Sequence, residues 1–134
     1  MSEKVALIIN SGSYERVSYA LTVAAMQAAL GKEVSILFTY GALVRLIKGR
    51  TDEVGEETDP TLRQKINEGL EKGTIRSISE GINELKRFGG RIYACVAAMS
   101  FYNVIRDELI DEVDGVMGIA AFLEVTRGAQ ILYI

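Results

Sequence analysis

The apolar positions of this chain change period along its length, and each change marks an element. Residues 4–9, KVALII, form a continuous apolar run bounded by polar and turn residues, the pattern of a buried parallel strand. NSGS then breaks the run. Over 14–30 the spacing is helical, with Val17, Ala20, Leu21, Ala24 and Ala28 on one face. The alanines let this helix lie close to a sheet, Ser13 stands at its N-cap position and Gly31 at its end. Residues 33–40, EVSILFTY, read as a second strand and 41–49, GALVRLIKG, as a short helix. Residues 50–59, RTDEVGEETD, are acidic with few large apolar side chains, and predict an exposed, mobile loop. Asp59-Pro60 predicts a cap followed by proline at the first helical position, with Leu62, Ile66 and Leu70 as a narrow stripe. A longer helix from about Thr74 carries Ile75, Ile78, Ile82, Leu85 and Phe88 and ends at Gly89-Gly90. The rest reads as a strand over 91–96 (RIYACV), a short strand over 113–118, a helix over 119–128 and a last strand over 129–134, its end tied into the sheet.

Strands alternating with helices predict an α/β fold. The expectation is a single domain over 1–134: a flavodoxin-like open sheet, mostly parallel, of about five strands with helices on both faces. In such sheets sites form beyond the carboxyl ends of the strands. Those ends fall at Asn10-Ser11-Gly12, Thr39-Tyr40-Gly41, Cys95 and Gly115 to Gly118.

Composition narrows the chemistry. The chain has no histidine and one cysteine. A Ser-His-Asp triad, a Cys-His dyad and a zinc site built on histidines or thiolates are therefore excluded within one chain. A net charge of −3 gives no sign of a nucleic-acid partner. No run approaches the ~20 apolar residues that span a bilayer. The apolar run near the start is too short for a signal-peptide core. A lone cysteine makes no internal disulfide, so the expectation is a cytoplasmic protein without stable membrane insertion.

Cys95 has two readings. Free cysteine is among the most buried residue types, so it can be a packed core residue. It also ends a strand just before VAAMSFYN, which can turn into a helix whose first backbone N–H groups would favour a thiolate.

Two segments carry a resemblance that weighs on this choice. GKEVSILFTYGALVRLIK (31–48) and GGRIYACVAAMSFYNVIRDELIDEVDGVMGIAAFLE (89–124) resemble the DsrE/DsrF-like family of small sulfur-relay proteins, in particular its stand-alone members sometimes labelled peroxiredoxin-like. The strand-ending cysteine, Met99 four residues on, ELID at 108–111 and a glycine-containing turn before a helix carry the likeness. The resemblance implies that Cys95 accepts sulfane sulfur as a persulfide and passes it on. It also implies a flavodoxin-like fold and assembly into trimers or hexamers. The chain departs from stand-alone relatives in its middle, where RTDEVGEETD replaces a methionine- and lysine-rich insert, and in Val96, Ala97 and Ala98, where methionine is more usual.

The expected function is thus an intracellular sulfur carrier or sulfurtransferase of a sulfur-relay or sulfur-oxidation pathway. Its partners would be donor and acceptor proteins or small sulfane-sulfur anions. Thiolate exchange needs no histidine, metal or organic cofactor. The alternative is a flavodoxin-like module binding a small anion or nucleotide, with Cys95 structural. A peroxidase is disfavoured, because no second cysteine is present to resolve a sulfenic acid. Further substrate-binding candidates each have a plainer reading beside them. Ser11 and Gly12 could hold an anion or simply turn the chain. Tyr40 could bond a sulfur species or pack at a strand end. Met99 could wall the sulfur pocket or fill the core, and Gly118 lies in the glycine turn. Phe101 and Tyr102 could dock a partner or pack inside. Glu108 and Asp111 read as solvated charges, and Arg16, Arg45, Lys48 and Arg106 as mostly surface cations able to attract anions. The stripes of the 62–70 and 75–88 helices are expected to stay partly exposed and to form the interface of a homotrimer or homohexamer.

Overall fold

Five strands form one all-parallel sheet in the computed structural model, which describes residues 3–134. In chain order the elements are β1 (Lys4–Ile9), α1 (Tyr14–Ala29), β2 (Glu33–Phe38), a 3₁₀ segment (Tyr40–Leu46), α2 (Pro60–Lys72) and α3 (Ile78–Arg87). There follow β3 (Arg91–Cys95), α4 (Val96–Phe101), β4 (Gly115–Met117), α5 (Ile119–Val125) and β5 (Gln130–Tyr133). The strand order is β4-β3-β2-β1-β5. From β1 to β4 the chain steps one way across the sheet, and β5 returns to the free side of β1. Right-handed crossovers then put α1 and α3 on one face and α5 on the other. The expected α/β sheet is present, with every ladder parallel. The end of the chain is tied in, Ile134 N donating to Ile8 O and Asn10 N to Ile134 O.

Local chemistry sets the boundaries. Gly31, with φ of 90°, ends α1. Asp59 caps α2 by accepting from Thr61 N, with Pro60 at the first turn. The helix expected from Thr74 starts instead at Ile78. Gly73 closes α2 in the left-handed region, and Ser77 with Glu80 forms a reciprocal capping box that opens α3. The 41–49 helix is a 3₁₀ segment, entered through Tyr40 at φ of 39°.

The stripe expected to stay partly exposed around α3 is mostly covered: Ile78, Ile82 and Leu85 are buried and Ile75 is half-buried, and only Phe88 at its end is exposed. α3 packs on α1, where Gly81 lies against Leu21 so closely that a Cβ would stand 3.1 Å from Leu21 Cβ. The exposed apolar residues lie elsewhere. α5 packs on the sheet through Phe122, whose ring meets Tyr93 edge-on at 6.2 Å. Its Ile119, Leu123 and Val125, with Ile131 and Tyr133 of β5, face solvent. Among the described residues, no helix is long and apolar enough to cross a membrane.

The acidic segment 50–59 also departs from expectation. Thr51 and Thr58 are buried. Asp52 accepts from Ser79 N and Ser79 Oγ at the start of α3, and Thr58 Oγ1 accepts from Tyr14 N at the start of α1. Glu53, Glu56 and Asp59 are exposed, but the Asp52 carboxylate, the Glu57 carboxylate and the threonines are held against the rest of the fold. That makes it a pinned strap rather than a free loop.

Candidate functional site

β3 runs directly into α4 with no intervening loop, and Cys95 is the junction. Its backbone is extended, at φ −75° and ψ 122°, and the next residue is already helical. The first N–H groups of any helix lack intrahelical acceptors, so the sulfur stands where such donors begin. The strand register places Cys95 beside Met117 of β4. One helical turn on, Ala98 and Met99 are buried. Cys95 itself is 6% exposed. Its surroundings are thus apolar and soft, with sulfur from Met99 and Met117 among the flanking residues. Val96, next in sequence, is exposed, and a Cβ on Gly118 would lie 3.7 Å from Val96 Cγ1. Gly118 and Val96 therefore form the rim on the β4 side.

On the β2 side the rim is aromatic. Tyr40 is exposed, and its ring meets Phe101 edge-on at 5.8 Å. Phe101 in turn meets Tyr102 at 5.0 Å. Phe101 is 65% exposed, so the packed reading fails for it and the surface reading holds. Burial raises the pKa of Tyr102, and the Glu57 charge adds to that rise.

Ser11 and Gly12 share this sheet edge but not the cysteine's surroundings. β2 lies between β1 and β3, so they are about 10 Å away by strand spacing. Ser11 Oγ accepts from Ser13 N at 3.1 Å. Ser13 makes no side-chain cap. Its hydroxyl donates to Glu15, and Thr58 takes the Tyr14 N–H instead. Gly12 meets Gly41: a Cβ on Gly12 would stand 2.7 Å from the Gly41 carbonyl carbon. The structure thus groups Cys95 with Met99 and Gly118, joins Tyr40 to them through Phe101, and gives Ser11 and Gly12 a separate neighbourhood.

Arg45 is the main correction among the charged residues. Expected as a surface cation, it is 1% exposed. Its Nε and Nη2 donate to Gly12 O at 3.0 and 2.7 Å, and its Nη1 to Glu53 O at 2.6 Å. The guanidinium lies over the Tyr14 ring, 5.4 Å from its centre. Burial lowers its pKa, opposed by the neighbouring carboxylates of Glu57, Glu53 and Asp52. Burial likewise raises the pKa of Tyr14, whose hydroxyl accepts from Ile78 N. The signal for Arg45 lies in the sequence, since it interrupts an apolar run, ALVRLI. Arg16, Lys48 and Arg106 are exposed, as are Glu108 and Asp111, and Glu108 closes a 3₁₀ turn by accepting from Ile105 N. Met117 carries no local signal, because β4 is only three residues long and its register is invisible in the sequence.

Comparison with known proteins places the site in context. The family model for the DsrE/DsrF-like family matches residues 3–129. Two solved structures share the fold. Protein MTH1491 of Methanobacterium thermoautotrophicum, a protein of unknown function, superposes with a TM-score of 0.63 at 13% identity, covering 99% of this chain and all of that one. The ychN protein from E. coli gives the same TM-score and identity over the whole of both chains. No curated protein sequence matches.

Proposed function

The chain belongs to the DsrE/DsrF-like family, which is associated with sulfur relay, and from that premise we propose that it carries sulfane sulfur as a persulfide on Cys95. One observation carries the reading: the only cysteine ends a strand at the carboxyl edge of the sheet, at the first turn of α4. In the loading step the Cys95 thiolate attacks the outer sulfur of a donor persulfide or polysulfide. The new S–S bond forms as the donor's S–S bond breaks, and the donor thiolate leaves. In the delivery step an acceptor thiolate attacks the outer sulfur of Cys95–S–SH and Cys95 leaves as thiolate. No net oxidation occurs, and every nucleophile and leaving group is a thiolate. The apolar flank of Met99 and Met117 suits a persulfide, because it limits access of water and oxidants. A single cysteine fits a reducing, cytoplasmic setting.

The test is intact mass after incubation with polysulfide. Wild type gains sulfur that a thiol reductant removes. Cys95→Ser, similar in volume, keeps its circular dichroism and gains none. Equal loading of the variant refutes the proposal. The 6% exposure of Cys95 favours a second reading, a packed cysteine in an anion-binding module. An unloaded but correctly folded wild type would select it. Self-assembly as a homotrimer or homohexamer belongs to the same proposal. It is supported by the exposed apolar residues of α5 and β5 rather than by the α2 and α3 stripes.

A further inference from the structure

A second feature of the carboxyl edge lies outside the Cys95 neighbourhood and is independent of persulfide chemistry. The turns after β1 and β2 meet through two glycines. A Cβ on Gly41 would stand 3.1 Å from Gly12 N and 2.7 Å from Glu57 Oε2, and one on Gly12 would stand 2.9 Å from that same oxygen. The Glu57 carboxylate therefore rests on bare backbone that only two glycines leave open. Glycine is the residue that lets a backbone and an anion's oxygen approach this closely, since any side chain would fill the space. Behind this cradle lies Arg45, a buried cation whose hydrogen bonds all go to backbone carbonyls, one of them Gly12 O. Neutral carbonyls satisfy its N–H groups but leave its charge to be balanced by an anion nearby. Glu57 is such an anion, and its charge acts on both Arg45 and Tyr102. Yet among the described residues Glu57 forms no salt bridge. The strap that carries it is anchored through Thr51, Asp52, Glu53 and Thr58.

We propose that Gly12 and Gly41, backed by Arg45, form a binding site for a small tetrahedral oxyanion, and that Glu57 is its built-in, displaceable occupant. The strap then works as a competitor. It keeps the site neutral when no anion is bound, and yields its carboxylate when one arrives. Because the strap's other anchors do not involve Glu57, the exchange needs only a side-chain movement.

Sulfate, thiosulfate and phosphate titrations test this on wild type, Glu57→Ala and Glu57→Gln, with ionic strength held constant by sodium chloride. The readout is the backbone amide shifts of Gly12 and Gly41, which distinguishes this site from any anion effect elsewhere. Glu57→Ala is expected to bind at least about tenfold tighter than wild type, with Glu57→Gln between them. Gly41→Ala in the Glu57→Ala background puts a methyl where the carboxylate lay and should abolish the binding. If Glu57→Ala does not fold, Glu57→Gln carries the same comparison, since it keeps the volume and loses the charge. Equal affinity in wild type and the Glu57 variants overturns the competitor role. Absence of saturable shifts at the two glycines in the folded Glu57 variants overturns the site.

Discussion

Arg45→Lys keeps the charge and most of the stem of this side chain but removes its fork. The guanidinium reaches Gly12 O through Nε and Nη2 and Glu53 O through Nη1, at 2.6 to 3.0 Å. One ammonium cannot span both carbonyls in that geometry. At least one charge-assisted hydrogen bond is lost, and the carbonyl left behind stays beside a side chain that is 1% exposed. Hydrogen bonds to charged groups contribute ~1.5–3 kcal/mol, and an orphaned buried acceptor costs ~1–3 kcal/mol. The substitution should therefore destabilise by about 3 kcal/mol. For a domain of this size, at roughly 4 °C per kcal/mol, Tm falls by about 12 °C. Urea unfolding followed by circular dichroism should show a lower midpoint with an unchanged slope. Trypsin should also cut sooner after Arg50, because the strap has lost its central tie. The control is Arg50→Lys, on the same segment, whose pair with Glu53 is solvent-exposed. Its cost should stay within ~0.5 kcal/mol. An Arg45→Lys protein within ~1 kcal/mol of wild type, with an equally resistant strap, would refute the view that this residue holds the segment down.

Gly12→Ala should cost at least ~2 kcal/mol in chemical unfolding, because its methyl meets the Gly41 backbone, whereas Gly55→Ala, with open space around it, should change stability by under ~0.5 kcal/mol. Phe122→Ala should cost ~3–5 kcal/mol, since that ring anchors α5 on Tyr93. Leu123→Glu with Ile131→Glu should leave the fold intact but return the light-scattering mass from a multiple of 14.7 kDa to that value; wild type already at 14.7 kDa would refute assembly. Donation from Thr61 holds the Asp59 carboxyl below its ordinary range, so its cap on α2 stabilises above the unfolded pKa and is lost as pH falls through the folded one. The carbon chemical shifts of the first turn of α2 should therefore stay helical down to about pH 4 and relax below it, and Asp59→Ala should remove that acid transition.

Much of this fold is written in local pattern. KVALII and EVSILF are strands because a continuous apolar run has no amphipathic face to give a helix, and α1 is a helix because its alanines and valine recur on one side. Asp59-Pro60 and Gly31 punctuate the chain through their own backbone preferences. Such features depend on residues a few positions apart, and they suffice to put Cys95 at the carboxyl end of a strand. The family likeness is legible for the same reason, as a spacing of cysteine, methionine and acidic residues within one stretch.

What the sequence alone determined about this protein was therefore its elements and the end of the sheet where Cys95 emerges. Tertiary structure decided the rest, because it depends on residues that meet from far apart in the chain. The α3 stripe is apolar in pattern, and only the approach of α1 buries it. Met117 becomes the neighbour of Cys95 only through the register of a three-residue strand. Arg45 has the pattern of a surface charge, and segment 50–59 that of a solvated loop, until the carbonyls of Gly12, Thr51 and Glu53 converge on one guanidinium. Hydrophobic period reports which side of an element is apolar, but not which partner reaches it. The break that Arg45 makes in the apolar run ALVRLI is visible in the sequence, but its partners are not, because they are carbonyls of two other segments that only the folded sheet brings together.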